Sequence, residues 1–280
     1  MAKGIALIVG LKNVDPNKYN GWNGKNGCWG CERDVDNINL LLTDQGFETK
    51  ILKTEQATHS NILKELSTAA SSLSKDDILV FYYSGHGGQL PDADSKIKDE
   101  IDGKDETLVA FDRQIIDDEL NEIWLSVVEG ARIVMVSDSC NAGTNYKNAK
   151  LPFPPIPPTP IEEGGLPFPP IPPTPIEEGG LPFPPIVPTP IELVVNKRVK
   201  AQMIHFGGCR DGSSSAGFFS GGAFTLSLCE VLSDKSFQGN YLQVIAKIMS
   251  MVDQFQLPKY NEYGNVSNEF CNSRPFQIEI

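Results

Sequence analysis

The sequence predicts an α/β fold, a mostly parallel sheet flanked by helices on both faces. Three observations carry that prediction. Five short runs are apolar without strict alternation, as strands buried on both faces are. Segments with helical spacing of apolar residues separate most of them. Glycine or a hydroxyl residue stands where several of those segments should end or begin.

Gly4–Gly10 (GIALIVG) is too short for a signal-peptide core or a membrane span and reads as the first strand. A helix follows over Glu32–Gln45, closed by Gly46. Phe47–Leu52 (FETKIL) is the second strand, and Thr58 caps a helix over Ser60–Ser72. Asp77–Tyr83 (DILVFYY) gives the third strand, and Asp118–Val128 a helix before Gly130. Ala131–Ser137 (ARIVMVS) and Lys200–Phe206 (KAQMIHF) are the fourth and fifth strands. Helices over Ala223–Leu232 and Tyr241–Phe255 complete the pattern.

The 280 residues carry 24 basic and 36 acidic side chains, a formal charge of -12. That balance argues against nucleic acid or an anionic membrane as partner and favours a cationic substrate. With no secretion signal and six irregularly spaced cysteines, the expectation is a cytoplasmic protein with reduced thiols.

Seventeen of the 21 prolines fall between Pro152 and Pro190. LPFPPIPPTPIEEGG occupies Leu151–Gly165 and recurs unchanged at Leu166–Gly180, and a third copy, with Val187 for Pro, stops near Glu192. Fixed φ and missing amide donors favour polyproline II there, about 130 Å for 42 residues at full extension. The segment therefore reads as a spacer, 151–192, between regions 1–150 and 193–280 of one domain. Its P-x-x-P turns also suit a polyproline-binding partner domain, although flanking basic residues are missing within it.

Ligands of parallel sheets bind at the carboxyl ends of the strands. The third strand runs into Ser84-Gly85-His86-Gly87-Gly88 and the fourth into Asp138-Ser139-Cys140. A thiol and an imidazole on neighbouring strand ends can share one substrate carbonyl, the thiolate attacking and the histidine moving the proton. The amides of Gly87 and Cys140 are candidates to hold the oxyanion. Two nearby acids, Asp138 and Asp34, would favour a guanidinium or ammonium group in a shared pocket.

YSGHGGQ (Tyr83–Gln89) and DSCNAG (Asp138–Gly143) resemble the metacaspases, caspase-like cysteine peptidases of clan CD and peptidase family C14. The resemblance extends over GCERD (Gly30–Asp34), DEIDGKDETLVAFD (Asp99–Asp112), IIDDEL (Ile115–Leu120) and GGCRDGSSSAG (Gly207–Gly217). It implies the caspase-haemoglobinase fold, with a large-subunit-like region 1–150 and a small-subunit-like region 193–280 in one continuous sheet. It implies Cys140 as nucleophile, His86 as general base and acid, and a pocket of Cys31, Asp34, Ser84 and Asp138 for arginine or lysine at P1, the residue before the cut bond. It further implies Asp105, Asp117 and Asp118 as ligands of an activating calcium, and a monomer. The family's fourth calcium acid has no counterpart in Thr144-Asn145-Tyr146-Lys147, and Asn141 and Ala142 replace its usual His and Ser.

Between Leu151 and Asn196 there is no lysine or arginine, while Lys147, Lys150, Lys197, Arg198 and Lys200 flank the segment. A peptidase specific for basic residues would thus nick the flanks and spare the repeat. Competing signals are weaker. Cys28-Trp29-Gly30-Cys31 spells a thiol-disulfide motif that leaves His86 and Cys140 unexplained, and a zinc site lacks further ligands. His59 reads as a surface residue and His205 as a core or rim histidine. The alternative class is a catalytically silent scaffold binding partners through the proline repeat.

Overall fold

The computed structural model describes residues 2–25, 27–91, 104–140, 199–208, 217–218, 221–252 and 258–280. The proline repeat lies outside them, as do Lys147, Lys150, Lys197 and Arg198. In chain order the elements are β1 (Gly4–Gly10), α1 (Cys31–Asp44), β2 (Glu48–Lys53), α2 (His59–Ser71), β3 (Ile78–Pro91), β4 (Lys104–Val109) and β5 (Gln114–Ile116). There follow α3 (Asp117–Ser126), β6 (Arg132–Cys140), β7 (Gln202–Gly207), the two-residue strands β8 (Gly217–Phe218) and β9 (Gly221–Gly222), α4 (Ala223–Ser233), α5 (Tyr241–Met249), β10 (Lys259–Tyr263) and α6 (Asn268–Asn272).

The main sheet has the order β10-β7-β6-β3-β1-β2. Its pairs are parallel except for β10, which runs antiparallel to β7. Since β7 follows the repeat and β6 precedes it, one sheet joins the two regions. Alternation of side chains along the strands feeds two cores. On one face Ala6, Ile8, Val80, Tyr82, Val134 and Phe206 pack with α1, α4 and α5. On the other, Leu7, Val9, Leu79, Phe81 and Ile133 pack with α2 and α3.

The five predicted strands and five predicted helices are present, with informative differences. β3 and β6 run past Tyr83 and Ser137, so the residues expected in loops after the strands are themselves strand. Pairing keeps them extended: Ser84–His86 pair with Asp138–Cys140, and Gly87–Pro91 pair antiparallel with β4. α5 stops at Met249 rather than Phe255, and the Ser250 hydroxyl donates to Lys247 O at 2.6 Å where the helix closes. α1 ends as expected, with Gly46 at φ +90 and its amide on Thr43 O.

Candidate active site

Ladder register does the first part of the positioning. In the parallel β3–β6 pair, Ser84 faces Asp138 and His86 faces Cys140. Adjacent strands lie about 4.8 Å apart, so the proposed base and nucleophile are backbone neighbours on one rim. The side chain of Cys140 lies outside the described residues.

The imidazole is held from the loop between β1 and α1. Its Nε2 lies 2.8 Å from Gly24 O. A carbonyl only accepts, so Nε2 donates, and Nδ1 keeps the lone pair. The Trp22 ring lies against the imidazole at 5.0 Å between centroids, tilted by 59°. That loop is fastened to the β4–β5 turn: Tyr19 donates its hydroxyl hydrogen to Ala110 O at 2.7 Å, and the Asp15 amide donates to Phe111 O at 2.9 Å. Burial lowers the His86 pKa, with the Gly24 bond pulling the other way. A neutral imidazole able to take a proton is the result.

Beside this rim two carboxylates are sunk into the protein. Asp34 is 1% and Asp138 5% exposed. Asp34 Oδ2 accepts from the Ser84 hydroxyl at 2.7 Å, and Oδ1 from the Gly222 amide at 2.8 Å. Asp138 Oδ2 accepts from the Thr225 amide at 3.2 Å and its hydroxyl at 2.6 Å. Gly221 and Gly222 make this approach feasible, because a Cβ on the first would collide with Asp34 and on the second with Asp138, and Gly221 also sits at φ +136. Burial, then the neighbouring Asp138 charge, raises the Asp34 pKa from 3.8 to about 7 despite the two hydrogen bonds. Two acids crowded in a dry place make a site complementary to a cation.

Cys31, the first residue of α1, is buried one turn before Asp34. The structure thus brings Asp34, Ser84 and Asp138 into one cluster, with Cys31 at its entry helix. Gly87 lies one residue past His86, opposite Leu108. Asp117 and Asp118 open α3, and Asp105 lies on β4 with its side chain outside the described residues. Among the described residues no group of three or more His, Cys, Asp or Glu converges to hold a metal ion. Lys200 is exposed before β7.

Cys28 and Cys31 are both buried, and no disulfide joins them. His59 departs from the surface reading: it is half-buried, with Nε2 2.9 Å from Glu119 Oε1, because α2 packs against α3. His205 is a rim histidine, 2.9 Å from the Ser137 hydroxyl. Reasoning from side-chain motifs missed Trp22, Gly24, Gly222 and Thr225. Two of these act through backbone atoms, which leave no residue-type signature.

The Caspase domain family matches residues 3–271. Metacaspase-1 of Schizosaccharomyces pombe is 29% identical over 98% of this chain and 68% of its own length. Metacaspase-1A of Aspergillus fumigatus is 36% identical over 50% of this chain, which spans about a third of that relative, 35%. A solved structure from Geobacter sulfurreducens superposes with a TM-score of 0.74 at 28% identity, covering 99% of this chain and 100% of that one. Caspase-1 from Spodoptera frugiperda shares the fold, with a TM-score of 0.59 at 14% identity over 98% of this chain and 92% of its own.

Proposed function

The chain belongs to the Caspase domain family of cysteine peptidases, and from that premise we propose that it is an endopeptidase cutting after arginine or lysine. The observation that supports this most is the buried pair Asp34 and Asp138: Asp138 and its register partner Ser84, which donates to Asp34 of α1, lie two residues before the His86–Cys140 register pair. A P1 guanidinium entering that pair gains charge-assisted hydrogen bonds and relieves the repulsion between the acids. An aspartate at P1 would add a third negative charge.

In the proposed reaction the Cys140 thiol gives its proton to Nδ1 of His86, and the sulfur forms a bond to the scissile carbonyl carbon. Amides of Gly87 and Cys140 hold the oxyanion. Collapse breaks the C–N bond, and the amine leaves with the proton from His86. Water, deprotonated by the same imidazole, then splits the thioester, returning the thiol and releasing the acid.

Self-processing belongs to the same proposal. Nicks after Lys147, Lys150, Lys197, Arg198 or Lys200 would release or open the repeat, and mass spectrometry of purified protein should find termini there and none inside Leu151–Asn196. The deciding assay uses a fluorogenic peptide with arginine at P1, with calcium and with chelator. Cleavage by the wild type and none by Cys140→Ala is expected. Cleavage retained by Cys140→Ala overturns the nucleophile, and no cleavage in either arm favours the scaffold reading.

A further inference from the structure

Resting on the basic-P1 reading, we propose that Thr225 is a specificity-positioning residue, fixing the Asp138 carboxylate in the orientation that receives a planar guanidinium. Thr225 lies in the first turn of α4, beyond the proline repeat in sequence, and is fully buried. Its hydroxyl contacts two groups: Asp138 Oδ2 at 2.6 Å and the Tyr82 hydroxyl at 2.6 Å. The threonine has one hydroxyl hydrogen and donates it to the carboxylate. Tyr82 must therefore donate to Thr225, giving a one-way donor chain from β3 through α4 to the acid on β6.

Tyr82 is likewise fully buried, and its pKa is raised well above the usual phenol value, chiefly by burial and then by the Asp34 and Asp138 charges. It remains a hydroxyl donor throughout the working pH range. With the Thr225 amide as second donor, Oδ2 is held by two bonds from one residue, which restrains rotation of the carboxylate plane. Gly222, at the same helix start, holds Asp34. The first turn of α4 thus sets both walls of a pocket whose acids come from the other side of the repeat.

Orientation matters more to one basic residue than to the other. Arginine pairs with a carboxylate through two parallel N–H bonds in a plane, whereas lysine is a compact point charge that tolerates a rotated acceptor. Loss of the Thr225 hydroxyl should therefore lower the preference for arginine over lysine, beyond any uniform loss of activity.

The test measures kcat and KM for matched peptides with arginine, lysine or a neutral residue at P1, using wild type, Thr225→Val and Thr225→Ser. Thr225→Val is expected to raise KM for arginine about tenfold, to raise it for lysine by less than half that factor, and to leave kcat within about twofold. Thr225→Ser should restore the wild-type arginine-to-lysine ratio to within about twofold. Tyr82→Phe, which leaves Thr225 in place and serves if the valine variant does not fold, should shift the ratio the same way by about twofold. An unchanged ratio in Thr225→Val, or in Tyr82→Phe where only that variant folds, overturns the inference while leaving the basic-P1 reading intact. So does a failure of serine to restore it. A wild type that prefers the neutral peptide overturns both, and does so before any variant is made.

Discussion

The two halves of β3 and β6 are built from opposite materials. Below Tyr83 and Ser137 the strands are apolar apart from Arg132, buried apart from Met135, and covered by helices on both faces. Above them come serine, glycine, histidine, aspartate and cysteine, in the same unbroken ladder. The lower half has no chemistry and the upper half has little packing of its own. Register is inherited: a one-residue slip between the strands would turn every core residue to the wrong face, and that cost also fixes His86 opposite Cys140 and Ser84 opposite Asp138.

Substitutions can break this division of labour from either end. The largest effect is expected for Cys140→Ala and His86→Ala, each lowering kcat/KM by on the order of 10³-fold or more, whatever residue stands at P1, while denaturant midpoints stay close to wild type. Asp34→Asn comes next. It should lower kcat/KM for an arginine peptide by about 10- to 100-fold, mostly in KM, and barely affect a neutral peptide. The same variant should sharpen the stability comparison. Unfolded, the Asp34 carboxyl releases its proton near 3.8 and folded near 7, so the folded chain holds that proton between those values and loses stability as pH rises through them. Urea titrations at pH 5 and pH 8 should show a smaller decline for Asp34→Asn than for wild type.

The pocket and the reaction centre should also separate by pH. Protonation of Asp34 weakens a cationic P1 as pH falls through about 7, whereas His86, whose pKa is held below 6.5 by burial, still acts as a base there. The kcat/KM profile for arginine peptides should bend near 7, and that for neutral peptides below 6.5. Coincident profiles would remove Asp34 from the site. Trp22→Ala should lower kcat by about threefold to tenfold through a looser imidazole. The smallest catalytic effect belongs to the apolar half: Ile133→Val should cost about 1 kcal/mol of stability and leave kinetics unchanged.

How much of this was legible in the sequence follows the same boundary. Strands such as β1 and the lower parts of β3 and β6 announce themselves by unbroken apolar runs, and His86, Cys140 and Asp138 by their place at the ends of those runs. β4, β5 and β10 were not legible. Lys259–Tyr263, for instance, reads as polar and only half-buried, and becomes a strand because β7 offers an open edge. The upper extension of β3 was hidden because Ser84–Gly88 has turn composition, and only the pairings with β4 and β6 make it extended. Thr225 and Gly222 stayed hidden for another reason: they sit at the start of an ordinary core helix, and their role exists only once α4 docks on the sheet.

Covalent labelling is the sharpest probe of a cysteine nucleophile beside an anionic P1 pocket. Purified protein is treated with matched peptidyl chloromethyl ketones carrying arginine or aspartate at P1, and the adducts are weighed and mapped by mass spectrometry. One equivalent of the arginyl reagent is expected, on Cys140, abolished by His86→Ala, with negligible labelling by the aspartyl reagent. Equal labelling by both reagents, or an adduct on Cys28, Cys31 or another thiol in place of Cys140, would contradict it.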